Sequence, residues 1–110
     1  MLGALLPLSG GWPRGLSTAG ALPLAVDRVN EDASLLPGRK LDFRWRDSGC
    51  SASAALQGLG SLQSGGDHPI DAVIGPGCSV ACEPTGYLTA GVRLLADLSL
   101  IRCIEYARLA

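Results

Sequence analysis

Three stretches able to form strands are each closed by a turn and followed by helical spacing, and this alternation constrains the fold more than any single motif. Residues 2–6, LGALL, are a continuous apolar run bounded by Pro7 and Gly10, the pattern of a strand covered on both faces. Beyond the glycine loop, Leu22, Val26 and Val29 recur at i, i+4 and i+7, which predicts an amphipathic helix from about Leu16 to Asp32. Pro23 fits that helix only in its first turn, so the helix starts late or bends. In KLDFRWRD, residues 40–47, Leu41, Phe43 and Trp45 alternate with Lys40, Asp42, Arg44 and Arg46, as in a half-exposed strand near a sheet edge. Ala52, Ala55, Leu56, Leu59 and Leu62 make a second helical stripe, weakened by Gly58 and Gly60 and ended by QSGGDHP. IDAVIG, residues 70–75, reads as a third strand and residues 79–90 as a third helix. The order βαβαβα predicts an α/β fold built on an open parallel sheet with right-handed crossovers.

With 110 residues there is room for one core and not for two. A 47% hydrophobic content excludes a disordered chain, and a formal net charge of −1 gives no electrostatic case for nucleic acid. No run approaches the 18 to 20 or so apolar residues needed to cross a bilayer. The opening MLGALLPLSGG lacks the basic start and small-residue cleavage site of a signal peptide, so we read it as a buried strand and expect no export signal in the chain as given.

Two loops stand out, SGGWP after the first strand and GPGCS after the third. In open parallel sheets ligands sit at the carboxyl ends of the strands, where strand order reverses, and both loops open onto that edge. Gly11 and Gly77 let a ligand approach the backbone. Ser79 stands where a helix N-cap belongs, offering a hydroxyl and free amides to a carboxylate, and Trp12 supplies an apolar wall. The same glycines and serine serve equally well as an ordinary turn and cap. GPGCS lacks the Gly-Lys-Ser/Thr ending of a phosphate loop, which argues against a nucleotide.

Cys50, Cys78, Cys82 and Cys103 are the four cysteines. Cys50 and Cys78 fall at strand-to-helix junctions on one edge, where a bridge is geometrically feasible; four reduced, buried thiols remain the alternative. CSVAC has no second cysteine pair, and the single histidine, His68, is isolated, so neither a metal nor a cofactor is expected. An enzyme built on Cys78 as a nucleophile at a helix N-terminus needs a base, and His68 lies at the opposite end of the strand.

LPLSGGWPRG, AVDRVN, LLPGRKLDFRWRDSGC and IDAVIGPGCS, in this order and spacing, resemble the first lobe of the Venus-flytrap ligand-binding region of class C receptors and receptor guanylyl cyclases, and in particular that of gamma-aminobutyric acid type B receptors. The resemblance covers Leu2 to about Gly91. It implies a partial first lobe of a two-lobed, type I periplasmic-binding-protein-like fold, without catalytic activity of its own. Trp12, with Gly11, would line the interlobe crevice; Ser79, with Gly77, would bind the carboxylate of a small amino-acid ligand. Cys50 would pair with Cys78, leaving Cys82 and Cys103 free. ACEPTGYLTAG looks more like natriuretic peptide receptors, which bind peptide hormones, and there Ser48, Gly77 and Cys78 would form an ion site holding chloride. In either case the parent is a receptor at the extracellular face of the plasma membrane, with a dimer partner. A stand-alone α/β interaction protein is the reading outside this family.

Residues 92–110 depart from the family pattern, so residues 1–91 read as the partial lobe and 92–110 as a divergent, truncated or misjoined tail. Val92, Leu95, Ala96 and Ser99 lie at helical spacing, but Leu94, Leu98, Leu100 and Ile101 fall outside that stripe. A helix here would be apolar on more than one face and is expected to dock poorly.

Overall fold

A computed structural model describes residues 1–11, 15–91 and 95–96. Along the chain run β1 (Leu2–Leu6), α1 (Gly15–Thr18), α2 (Ala21–Glu31), β2 (Phe43–Asp47), α3 (Ala52–Ser64), β3 (Ala72–Ile74), α4 (Ser79–Gly91) and β4 (Leu95–Ala96). The strands form one parallel sheet in the order β2-β1-β3-β4. The expected open parallel α/β sheet is therefore present, with β2 at an edge as its alternation implied.

The strand order fixes the layers. From β1 the chain steps to β2, then crosses back over β1 to β3, so right-handed crossovers put α2 on one face and α3 and α4 on the other. In keeping with this, α3 packs against β1, β2 and α4. Leu5, Leu59, Leu62, Ile70 and Val73 are buried together, with Met1 against them, and Ala55, Cys78 and Ala81 form a second cluster beside Cys50.

Three local readings are corrected. The single helix expected from Leu16 to Asp32 is split: α1 ends at Thr18 and α2 begins at Ala21, which places Pro23 in the first turn of α2, where its missing N–H has no partner to lose. Asn30 then ties the end of α2 to the approach to β2, its Nδ2 donating to the Leu41 carbonyl (2.8 Å) while its Oδ1 accepts from the Leu41 N–H (2.7 Å). Gly58 does not weaken the α3 stripe. It is buried at the contact with the sheet, where a Cβ would come within 3.0 Å of Leu5 Cδ2 and 3.2 Å of Arg46 Cβ. Its missing side chain lets the helix approach, whereas Leu56, assigned to the stripe, is partly exposed. Leu95 and Ala96, read as part of a helix, pair instead with Ala72 and Val73 of β3. An unpaired parallel strand edge offers backbone groups that a short apolar segment satisfies by extending. The rest of the tail expectation lies outside the described residues.

Arg44 reaches from β2 to the end of α3, where its Nη2 donates to the Leu62 carbonyl (2.7 Å) and the His68 carbonyl (3.1 Å). Pro84 sits inside α4, and the Thr85 hydroxyl donates to the carbonyls of Ala81 and Cys82 nearby (2.9 and 3.0 Å). Among the described residues no helix is long and apolar enough to cross a membrane.

The Gly58 contact makes the packing testable. Gly58→Val is expected to lower stability by about 1–3 kcal/mol through overpacking against Leu5, and Leu59→Ala by about 2–5 kcal/mol through the cavity it leaves. Both are measured by urea unfolding.

Candidate functional site

The loops that follow β1, β2 and β3 meet at the carboxyl edge of the sheet. The β1–β2 register sets Leu6 opposite Asp47, so the two strands end level and their loops emerge side by side. Asp47 joins them. Its Oδ1 accepts from the backbone N–H groups of Leu8 (3.0 Å), Ser9 (3.3 Å) and Gly49 (2.8 Å), and its Oδ2 from the Ser9 hydroxyl (2.6 Å). Donors aimed at a carboxylate favour its charged form. The Ser9 hydroxyl, most of all, holds the Asp47 carboxyl below the ordinary carboxylate value; desolvation opposes it, and the three amides add to the lowering.

Beyond Ser9 the chain closes on the second loop. Gly10 has φ 93°, and a Cβ there would run into the Gly49 carbonyl oxygen, so only glycine fits. Gly49 (φ 58°) and Cys50 (φ 50°) are both left-handed, a conformation that costs a non-glycine residue about 1–3 kcal/mol. Cys50 is bonded to Cys78 across 28 residues of sequence, with the Cα atoms 5.4 Å apart. That bridge joins the second loop to the third.

Cys78 precedes α4 and its carbonyl accepts from the N–H groups of Ala81 (3.1 Å) and Cys82 (2.9 Å). Cys78 is thus the capping residue, and Ser79, expected as the N-cap, is the first helical residue. The Ser79 side chain is exposed, and with Cys50, Gly77, Cys78 and Val80 it lines a shallow open depression. Below the bridge, Ser48 is completely buried. Its N–H donates to the Leu6 carbonyl (2.9 Å) and its carbonyl accepts from the Ser51 N–H (3.2 Å), but its hydroxyl has no partner among the described residues.

Of the residues singled out from the sequence, Gly11, Ser48, Cys50, Gly77 and Cys78 lie on these three loops and Ser79 opens α4 beside them; Trp12 lies outside the described residues. The Cys50–Cys78 pairing is present. The expectation that Cys82 is free is corrected, because Cys82 is disulfide-bonded as well as fully buried. The same expectation for Cys103 falls outside the described residues. Cys78 is no free nucleophile while bridged, and His68 stands by a depression at the other edge, with Met1, Lys40, Asp42, Pro69 and Asp71.

Asp47 and Ser9 are not among the residues that the sequence motifs single out. Their signal was the Asp-Ser-Gly that ends the second strand, a pattern in which a carboxylate bonds backbone amides two residues on, set against a Ser-Gly-Gly loop rich in free donors. Which loop would supply the other donors depends on strand register, and neither motif contains it.

The family model described as the receptor family ligand binding region matches residues 17–94. Over 78 residues, 71% of this chain and 8% of the relative, the chain is 37% identical to gamma-aminobutyric acid type B receptor subunit 1 of Mus musculus. It is 31% identical over 80 residues to the speract receptor of Strongylocentrotus purpuratus, covering 73% of this chain and 7% of that receptor. With a receptor-type guanylate cyclase of Drosophila melanogaster it shares 33% identity over 95 residues, 84% of this chain and 6% of the relative. The matched stretch therefore spans only a small part of each of these relatives.

Two outcomes follow from this geometry. Replacing Cys50 and Cys78 by serine is expected to cost about 3–4 kcal/mol, the chain-entropy value for a loop of this length, in urea unfolding. Asp47 has a depressed folded pKa, so its contribution to stability is fully present above the unfolded carboxylate value near 3.9 and is lost as pH falls through the folded value. Asp47→Asn is expected to flatten that acid limb of the stability profile.

Proposed function

Because the chain belongs to the receptor family ligand binding region, we propose that its three-loop edge is one wall of an interlobe crevice for an amino-acid-type ligand, as in a gamma-aminobutyric acid type B-like receptor. The observation that supports this most is the meeting of the Gly10–Gly11 loop, the Cys50–Cys78 bridge and the start of α4 where strand order reverses between β1 and β3, the place at which open α/β sheets take ligands. The Ser79 hydroxyl and the first amides of α4 would receive the ligand carboxylate, favoured by the helix dipole. Gly11 and Gly77 keep the backbone approachable, and Trp12, next to Gly11 in sequence, would cover the ligand's carbon chain. In the longer parent a second lobe closes over this wall, and closure is favoured because the closed state binds ligand better. That parent lies at the extracellular face of the plasma membrane and works with a receptor dimer partner. On this reading residues 1–91 are a partial first lobe that binds ligand without catalysing a reaction, and residues 92–110 are a divergent tail.

Ser48 supports a second reading, the natriuretic peptide or receptor guanylyl cyclase type. A buried hydroxyl without a partner among the described residues, two residues before the bridge, is suited to an anion. Ser48, Gly77 and Cys78 would then hold chloride, and a peptide hormone would dock on another surface.

One wall lacks the opposing contacts that bury a ligand, so titrating gamma-aminobutyric acid into this chain is expected to move the amide resonances of residues 77–80 with a Kd weaker than about 1 mM. Micromolar binding would overturn the one-wall reading. In a two-lobed parent, Ser79→Ala is expected to weaken agonist binding about tenfold or more, the loss of one hydrogen bond to a charged group. Unchanged affinity, together with chloride-dependent peptide binding, would establish the second reading.

A further inference from the structure

Four donors converge on Asp47, and they come from two different loops. Leu8 and Ser9 belong to the loop after β1; Gly49 belongs to the loop after β2. Among the described residues the first loop is also tied to its own strand end, the Leu8 N–H donating to the Leu6 carbonyl (2.9 Å) and the Gly15 N–H to the Pro7 carbonyl (3.0 Å). Towards the second loop it is joined at Asp47 and approaches at Gly10, where a Cβ would meet the Gly49 carbonyl and Cys50, while a Cβ at Gly11 would find nothing within 4 Å. Gly49 leads directly into Cys50, whose bridge to Cys78 ends one residue before Ser79. Among the described residues a path from Gly11 to Ser79 therefore runs through one carboxylate and one disulfide. Asp47 is itself only partly buried and belongs to neither apolar cluster, so its side chain fills no core.

We propose that Asp47 is a positioning residue for this edge: by holding Ser9 against Gly49 it sets the placement of the Gly10–Gly11 loop relative to the bridge and Ser79, without touching a ligand itself. The inference rests on the ligand-wall reading only for what the placement is used for; the coupling of the two loops stands on the hydrogen bonds. A carboxylate suits the task because it presents only acceptors and receives from several amides at once.

Amide hydrogen exchange on the full 110-residue chain at neutral pH tests this, comparing Asp47→Ala with Asp47→Asn. In Asp47→Ala, exchange at Ser9 and Gly49 is expected to accelerate at least about tenfold, the equivalent of one lost hydrogen bond to a charge, while Val73 in β3 stays within about twofold; Leu8, whose N–H also donates to the Leu6 carbonyl (2.9 Å), is expected to change less. Asp47→Asn keeps one acceptor oxygen and is expected to return Ser9 and Gly49 most of the way to the wild-type rate. A residue needed only for global stability would loosen Val73 in step with the loops and show no such selectivity. Unchanged exchange at Ser9 and Gly49, or loosening that spreads equally to Val73, overturns the proposal. If Asp47→Ala does not fold, Ser9→Ala decides: it removes only the hydroxyl donor, and acceleration at Gly49, on the other loop, is the expected result, with an unchanged Gly49 rate against it. Failure of gamma-aminobutyric acid to bind a wild-type two-lobed parent would sink the ligand reading and leave these exchange outcomes as decisive as before.

Discussion

The candidate edge depends on β1 being paired on both sides. It is matched with β2 residue by residue from Leu2 to Leu6 and with β3 from Leu2 to Ala4. A strand so placed has no free backbone edge, and its middle residues Gly3, Ala4 and Leu5 are all buried. Parallel pairing also requires each strand to return through a crossover, and all crossovers here leave from the same end of the sheet. Three loops are thereby brought together whatever their sequences. The reversal of direction at β1 opens a gap between the loops that follow β1 and β3, and the candidate site lies there.

Two kinds of link then fix the loops to one another. Between the first and second it is a partly solvated carboxylate that gathers amides and a hydroxyl; between the second and third it is a covalent bridge. They act on different states. The bridge raises stability largely by restricting the unfolded chain, while the carboxylate acts in the folded state, where it bonds groups of two loops. The left-handed Cys50 sits between the two, and the hydrogen bond to Gly49 on one side and the sulfur bond on the other hold it in a conformation a cysteine does not favour alone.

The two faces of the sheet are not equally covered. The face under α3 and α4 carries both buried clusters, whereas on the α2 face Val26 is buried but Leu24 and Trp45 are 56% and 51% exposed. Leu6, Leu8, Ala19, Leu22, Pro23, Phe43 and Trp45 border an apolar depression there. This asymmetry follows from topology: two crossovers lie on one face and one on the other.

The sequence by itself determined the types of the elements up to residue 91, the parallel α/β class and the family. Strand and helix periodicities differ by physics that needs no tertiary contact, and LGALL, the alternation of residues 43–47 and the stripe from Ala55 to Leu62 each carry their period unaided. Ser79, Cys50 and Cys78 were legible because glycine-rich turns after strands must gather at one edge of such a sheet. Tertiary structure alone decided the rest. Gly58 reads as a defect in a helix until Leu5 and Arg46 are placed against it. The segment Leu95–Ala96 has helical spacing but extends, because β3 offers it an open backbone edge. Asp47 bonds Leu8 and Ser9, residues 39 and 38 positions away, only because the β1–β2 register sets Leu6 against Asp47. Periodicity records which way a residue faces, whereas which backbone it faces is set by register and packing.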